Sequence, residues 1–235
     1  MMGAMDVIDV APDVEVDEDE PGPRGLSWGR VAILLVAVAF LGLAVGVVVT
    51  QDRPPPADSV DVGFLQDMLT HHEQALSMAT LTIAHGSDPV VRSYAREVLT
   101  EQGFETGLMT QMLDEWGYSR DDRSDEAMAW MGMPVPVADM PGLLSPDELD
   151  QMQAARGKEQ DTLFLKNMAE HHRGGLHMAQ YAAEHAGSKD VRELAARMVR
   201  SQADEINEYR LTAENRGFDV QIAPPSVPPS GLPAS

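Results

Sequence analysis

An uninterrupted run of uncharged, almost wholly apolar residues extends from Val31 to Val49. At 1.5 Å of rise per residue it predicts a helix of about 28 Å, close to the roughly 30 Å hydrocarbon layer of a bilayer. The pattern then changes. From Val60 to His85, and again from Val90 to Trp116, apolar residues recur every three or four positions, the period of an amphipathic helix. Gly86-Ser87-Asp88-Pro89 separates the two helices, with Asp88 placed to cap the second and Pro89 at its first position. Gly117 supplies the stop. Ser145 and Glu148 carry the spacing of a capping box that opens a third helix, in which Gly157 marks a bend or a restart. Gly187-Ser188-Lys189-Asp190 breaks that helix, and a fourth ends at Gly217.

The second pair of helices repeats the first at an offset of 100 residues. Phe64-Leu65 matches Phe164-Leu165, His71-His72 matches His171-His172, and Met78-Ala79 matches Met178-Ala179. His85 answers to His185, Val91-Arg92 to Val191-Arg192, Gln102 and Glu105 to Gln202 and Glu205, and Gly117 to Gly217. Laying 64–117 on 164–217 without a gap gives fifteen identities in 54 positions. Short connections make antiparallel helix pairs, so two copies predict an all-α, four-helix bundle of two αα-hairpins, preceded by one transmembrane helix.

The organisation that follows has five parts: an acidic tail at 1–30, a transmembrane helix at 31–50, a Pro-rich linker at 51–59, the duplicated bundle at 60–217 and a Pro-rich tail at 218–235. Within the bundle a Met- and Pro-rich crossover occupies 118–156. Both tails are expected to be disordered and not to pack. Arg24 and Arg30 precede the apolar run and only Arg53 follows closely, so the tail is expected in the cytoplasm and 51–235 outside. Gly42 and Gly46 form a Gly-x-x-x-Gly pair, a weak pointer to a homodimer.

Charge narrows the function. Seventeen Lys and Arg stand against 38 Asp and Glu, for a net charge of -21. A nucleic-acid binder needs a basic face and is excluded. The chain has no Cys, so disulfides, thiolate metal sites and Cys nucleophiles are excluded as well, and imidazole and thioether are the soft ligands left.

All seven His lie inside the two repeats. On a helical wheel Met68, His71, His72, Met78 and His85 share one broad face, as do Met168, His171, His172, Met178 and His185. His177 is the extra one, roughly 120° from His171. Buried neutral imidazoles cost free energy unless paired, so two matched His pairs point to a metal rather than to a core. The four Met are ordinary core filler by default and thioether ligands on the sharper reading. Imidazole with thioether favours copper, with zinc as the runner-up. The carboxylate pattern of a di-iron bundle, Glu-x-x-His, does not occur. Gln102, Glu105, Gln202 and Glu205 either accept imidazole N–H groups behind the metal or form an exposed polar face. Met128, Met131, Met133 and Met140 in the crossover either hold Cu(I) or cover the end of the bundle.

At these residues the chain resembles the family called domain of unknown function 305. The shared pattern is Phe64-Leu65, Met68, His71-His72 and Met78-Ala79, with its second copy from Phe164, the Gln-x-x-Glu of Gln102 and Glu105, and the turn Met140-Pro141-Gly142. The resemblance covers about 60–217. It implies a ferritin-like four-helix bundle, exported or membrane-anchored, in a family with some copper-associated members. Arg173-Gly174-Gly175 departs from the first copy and is expected to weaken the third helix and make the two halves unequal. The expected function is a membrane-anchored, extracytoplasmic protein that sequesters or transfers copper. The alternative is a structural or interaction module of the envelope without a metal. A redox enzyme ranks third, since no substrate, nucleophile or general base is identifiable.

Overall fold

The structure, a computed structural model, describes residues 27–50, 53–122 and 125–227, with side chains omitted at 44–50 and 121. The chain divides into two compact units, 1–53 and 54–235. Most of the predicted acidic tail, two linker residues and the last eight residues lie outside the described set.

In the first unit the apolar run is one helix, α1 (Trp28–Thr50). Ile33, Leu34, Leu35, Phe40 and Leu43 are all exposed. Among the described residues no helix is long and apolar enough to cross a membrane. The expectation at 31–50 is met as a helix; a membrane crossing is not shown. Gly42 has nothing within 4 Å of where a Cβ would sit, and Gly46 is outside the described side chains, so the homodimer expectation finds no support.

The second unit holds the bundle: α2 (Val60–His85), α3 (Pro89–Trp116), the short α4 (Pro146–Ala154), α5 (Lys158–His185) and α6 (Lys189–Arg216). Local signals explain these bounds. Asp88 accepts from Val90 N at 2.8 Å, Pro89 opens α3, and Gly117 and Gly217 close α3 and α6 in the left-handed region. The Ser145–Glu148 capping box is present, but it opens α4 rather than the third long helix. The chain restarts at Gly157, φ 61°, and α5 begins after it.

Helices α2 and α5 pack antiparallel at the centre, with α3 against α2 and α6 against α5. Two buried carboxylates lock this arrangement. Asp161, at the start of α5, accepts from Ser87 N, Ser87 Oγ and Asp88 N in the α2–α3 turn. Asp61, at the start of α2, accepts from Gly187 N and Ser188 N in the α5–α6 turn. Each repeat thus caps a turn of the other.

The crossover carries a two-residue hairpin, β1 (Glu126–Ala127) against β2 (Val135–Pro136). It covers one end of the bundle: Met128, Met131 and Met140 enter the core beside Met68, Met109, Met178 and Met198, while Met133 stays exposed. Trp130 donates from Nε1 to Asp67 Oδ2 at 2.8 Å and stacks edge-on with Phe64 and Tyr181.

Two expectations are corrected. The glycines at 174 and 175, expected to weaken the third long helix, leave α5 continuous through both. They make room instead. A Cβ on Gly174 would lie 1.9 Å from the Pro141 carbonyl, so only Gly lets the crossover lie against the helix there. The second correction concerns 218–227, the described part of the tail expected not to pack. Phe218, Ile222 and Val227 are buried, and Arg173 donates to the carbonyls of Pro224 and Ala223. The prolines rule out a helix but leave an extended strap with three apolar anchors.

Candidate metal centre

The His pairs sit where α2 and α5 cross. His71, His72, His171 and His172 are all at most 1% exposed. The His71 and His171 rings lie face to face, centroids 3.7 Å apart and tilted by 35°. His171 and His172 are 6.1 Å apart, and His172 is 5.8 Å from the Tyr209 ring.

Each of these imidazoles turns Nε2 towards an oxygen. His71 donates to the Pro141 carbonyl at 3.2 Å and His171 to the His71 carbonyl at 3.0 Å. His72 donates to Glu105 Oε2 at 2.8 Å. His172 Nε2 lies 2.5 Å from Glu205 Oε2, close in distance but poorly aligned for a hydrogen bond. Carbonyls and carboxylates only accept, so the ring proton belongs on Nε2. That leaves a lone pair on Nδ1, and all four Nδ1 atoms are buried without a partner.

Electrostatics keep the central pair neutral. Burial, reinforced by His72 and His172, lowers the His71 pKa to about 3, against the Pro141 hydrogen bond. Burial, followed by His71, His172 and His72, holds His171 well below the ordinary histidine range. A neutral imidazole with its second nitrogen held by an oxygen is the state that binds a metal.

The four thioethers lie above and below this crossing. Met68 and Met178 belong to one core cluster and Met78 and Met168 to the other, all fully buried. Gln102 and Gln202 are buried rather than on an exposed face, and both Oε1 atoms lack a partner. A Cβ on Gly175 would lie 2.6 Å from Gln202 Oε1 and 3.2 Å from His71 Cε1, so this glycine keeps both side chains in place.

Three predicted ligands do not join the cluster. His85 lies at the far end of α2, fourteen residues and about 21 Å from His71 along the axis. His185 is exposed, stacked on Tyr181 at 4.1 Å, and donates from Nδ1 to the Tyr181 carbonyl at 2.9 Å. His177 is exposed on α5. A helical wheel gives the angle around the axis and discards height, which is why His85 and His185 looked convergent. Among the described residues, no three His, Asp or Glu are grouped closely enough to hold a metal ion between them. Any metal here has two imidazoles at most in one place and needs thioether or amide donors as well.

Several partners were not foreseen from the sequence. The Pro141 and His71 carbonyls are backbone acceptors with no residue signature. The Asp61–Asp161 reciprocity had one: the two Asp are themselves 100 residues apart, just outside the aligned block.

The fold has counterparts among solved structures. A DUF305 protein of Streptomyces coelicolor is 36% identical, matching 69% of this chain and 96% of its own at a TM-score of 0.65. A DUF305 fragment from Deinococcus radiodurans is 28% identical over 68% of this chain and 99% of its own, TM-score 0.58. CopM in its Cu(I)-bound form is 24% identical over 66% and 96%, TM-score 0.51, a likeness of fold. Among curated proteins none matches the chain. The sequence pattern of the family described as Domain of unknown function (DUF305) matches residues 61–212, and the chain belongs to that family.

Proposed function

We propose that the protein is a membrane-anchored, extracytoplasmic copper-binding protein that sequesters or transfers the ion. The observation that carries the reading is the set of four buried Nδ1 atoms without partners, at matched positions of two repeats. An apolar core gains nothing from four such atoms, since each forfeits a hydrogen bond to water. Neutral imidazole flanked by thioether is a donor set suited to Cu(I), and copper is the cargo rather than a resident cofactor. His71 and His171 would supply nitrogen, with Met68, Met178, Met78 and Met168 as the thioethers within the adjoining core. Glu105 and Glu205 orient His72 and His172. That CopM carries Cu(I) on a related fold adds support.

The anchor rests on the exposed apolar side chains of α1, with Arg24 and Arg30 preceding its apolar run. This orientation puts the bundle outside the cytoplasm.

The test is a Cu(I) titration of the full-length protein in detergent, under reducing conditions and against a chelator of known affinity. Tight binding and a raised unfolding midpoint are expected, since a ligand taken only by the native state stabilises it by about 2.7 kcal/mol at a hundredfold excess over Kd. Asn at His71 and His171 should remove the effect while the protein stays folded. An unchanged midpoint with Cu(I) in the native protein would sink the proposal and favour a structural module without a metal.

A further inference from the structure

The four central imidazoles are at most 1% exposed, so an ion reaches them only when the bundle opens. Three sides of the bundle are closed. The hairpins α2–α3 and α5–α6 pack along their length. Across α2 and α5 lies the crossover. There Leu144 exchanges two hydrogen bonds with the Gln74 amide, at 3.0 and 2.6 Å, and the Pro141 carbonyl accepts from His71 and abuts Gly174.

The fourth side, between α3 and α6, is made by side chains. Tyr94 Oη and Thr212 Oγ1 share a hydrogen bond at 2.8 Å, Arg216 pairs with Asp88 at 2.7 Å, and the Tyr94 and Tyr209 rings meet edge-on at 5.2 Å. Outside this contact opens a groove of about 490 Å³, walled by Tyr94, Glu208, Leu211 and Arg216. Inside it, the Tyr209 ring lies 5.8 Å from the His172 ring. Two aromatic rings thus separate the groove from an imidazole of the cluster.

Two further observations make this the side that opens. Glu205, whose Oε2 lies 2.5 Å from His172 Nε2, is 12% exposed, and Glu105, bonded to His72, is 15% exposed. Each carboxylate joins a buried imidazole to solvent, and Glu208 of the groove follows Glu205 by three residues on the same helix face. The Tyr209 hydroxyl, in contrast, is buried without a hydrogen-bond partner. A dry phenol is a penalty that the closed state carries and that a swing towards water removes.

We propose that Tyr94 and Tyr209 form a gate on the α3–α6 side through which Cu(I) enters and leaves the imidazole cluster. Thr212 latches Tyr94, and Tyr209 is the moving leaf. The inference rests on the copper reading of that cluster. Opening is local: the Tyr209 ring turns towards the groove, Tyr94 gives up one hydrogen bond, and the helices keep their caps. The duplication makes the gate one-sided. The pair equivalent to Tyr94 and Tyr209 is Leu194 and Met109, both fully buried in one core cluster. Those side chains have no hydroxyl to latch or to release.

The test is the rate of Cu(I) exchange between the full-length protein in detergent and a coloured chelator, for the native protein, Y94A, Y94F and Y181A. A gate sets a barrier and not an end state, so uptake and release change by the same factor while Kd stays within twofold. Y94F, which keeps the ring and loses the latch, should speed both about fivefold, the worth of one hydrogen bond, and Y94A about tenfold or more. Y181A removes a ring stacked on His185, away from this side, and should leave both rates within twofold. Unchanged rates in Y94F and Y94A, a change in release alone, or equal acceleration by Y181A overturns the proposal. A second arm uses no copper. Diethyl pyrocarbonate modifies neutral imidazole, and the tryptic peptide carrying His171 and His172 should react faster in Y94F and Y94A than in the native protein, with exposed His177 as internal standard. Equal reaction in all three overturns the gate. Failure of the native protein to take up Cu(I) overturns the copper reading instead, and this second arm then decides the gate alone.

Discussion

His71 and His171 stack face to face at 3.7 Å, and the ring of the second donates to the backbone carbonyl of the first at 3.0 Å. The contact is not symmetrical: His71 donates instead to the Pro141 carbonyl of the crossover. The duplicated motif therefore folds into a pair in which one member supports the other and is itself supported by the connecting segment.

This pair makes the fold sensitive to acid. The folded pKa of His71 is about 3, below the ordinary value of 6.5, so between those values the unfolded chain binds the extra proton. Stability is therefore full above about pH 6.5 and falls as pH drops towards about 3, by up to about 1.4 kcal/mol per pH unit for this one group. Denaturant midpoints at pH 7 and pH 5 should show the loss, and Asn at both His71 and His171 should reduce it. Equal midpoints for the native protein at the two values would contradict the assignment.

Gly174→Ala should destabilise the protein by about 1–3 kcal/mol, because the added carbon meets the Pro141 carbonyl rather than a yielding side chain. Gly103→Ala is the opposite case. Nothing lies within 4 Å of its added carbon in the middle of α3, so a gain of about 0.5–1 kcal/mol is expected. Urea unfolding of both variants checks the contrast, which fails if the two shift in the same direction.

The helix bounds were legible because their signals are local. Asp88, Pro89, Gly117 and Gly217 act on the residues beside them, and the capping box at Ser145 formed as spaced. The identity of the central His was legible from the duplication. What was not legible depended on distance along an axis or on backbone atoms. The wheel brought His85 and His185 to the site because it carries no height. The Pro141 carbonyl leaves no mark in the side-chain sequence. At 218–227, proline content hid Phe218, Ile222 and Val227.

Asp161→Ala should cost more than Asp61→Ala. The first removes an acceptor for three donors, the second for two. About 2–3 kcal/mol for Asp161 and about 1–2 for Asp61 follow from the usual worth of hydrogen bonds to a charged group. Thermal unfolding would rank them, and the reverse order would show that the turns find other partners.

Ending the chain after Gly217 should lower stability by about 3 kcal/mol or more. Phe218, Ile222 and Val227 are each over 90% buried, and burying such a side chain contributes about 1.5–3 kcal/mol at most. Chemical denaturation of the truncated protein is the measurement, and a change below about 0.5 kcal/mol would mean that the strap does not hold in solution.

The reciprocal caps of Asp61 and Asp161 bear on assembly as well. Neither hairpin is complete alone, since the turn of each is finished by a carboxylate of the other. The hairpin of a second chain presents the same carboxylate, the same histidines and the same core face. Only the crossover at 118–156, by its length and by its grip on Gly174 through Pro141, selects the hairpin of its own chain. Loosening that segment would favour exchange of hairpins between molecules, giving a dimer with every inter-repeat contact intact.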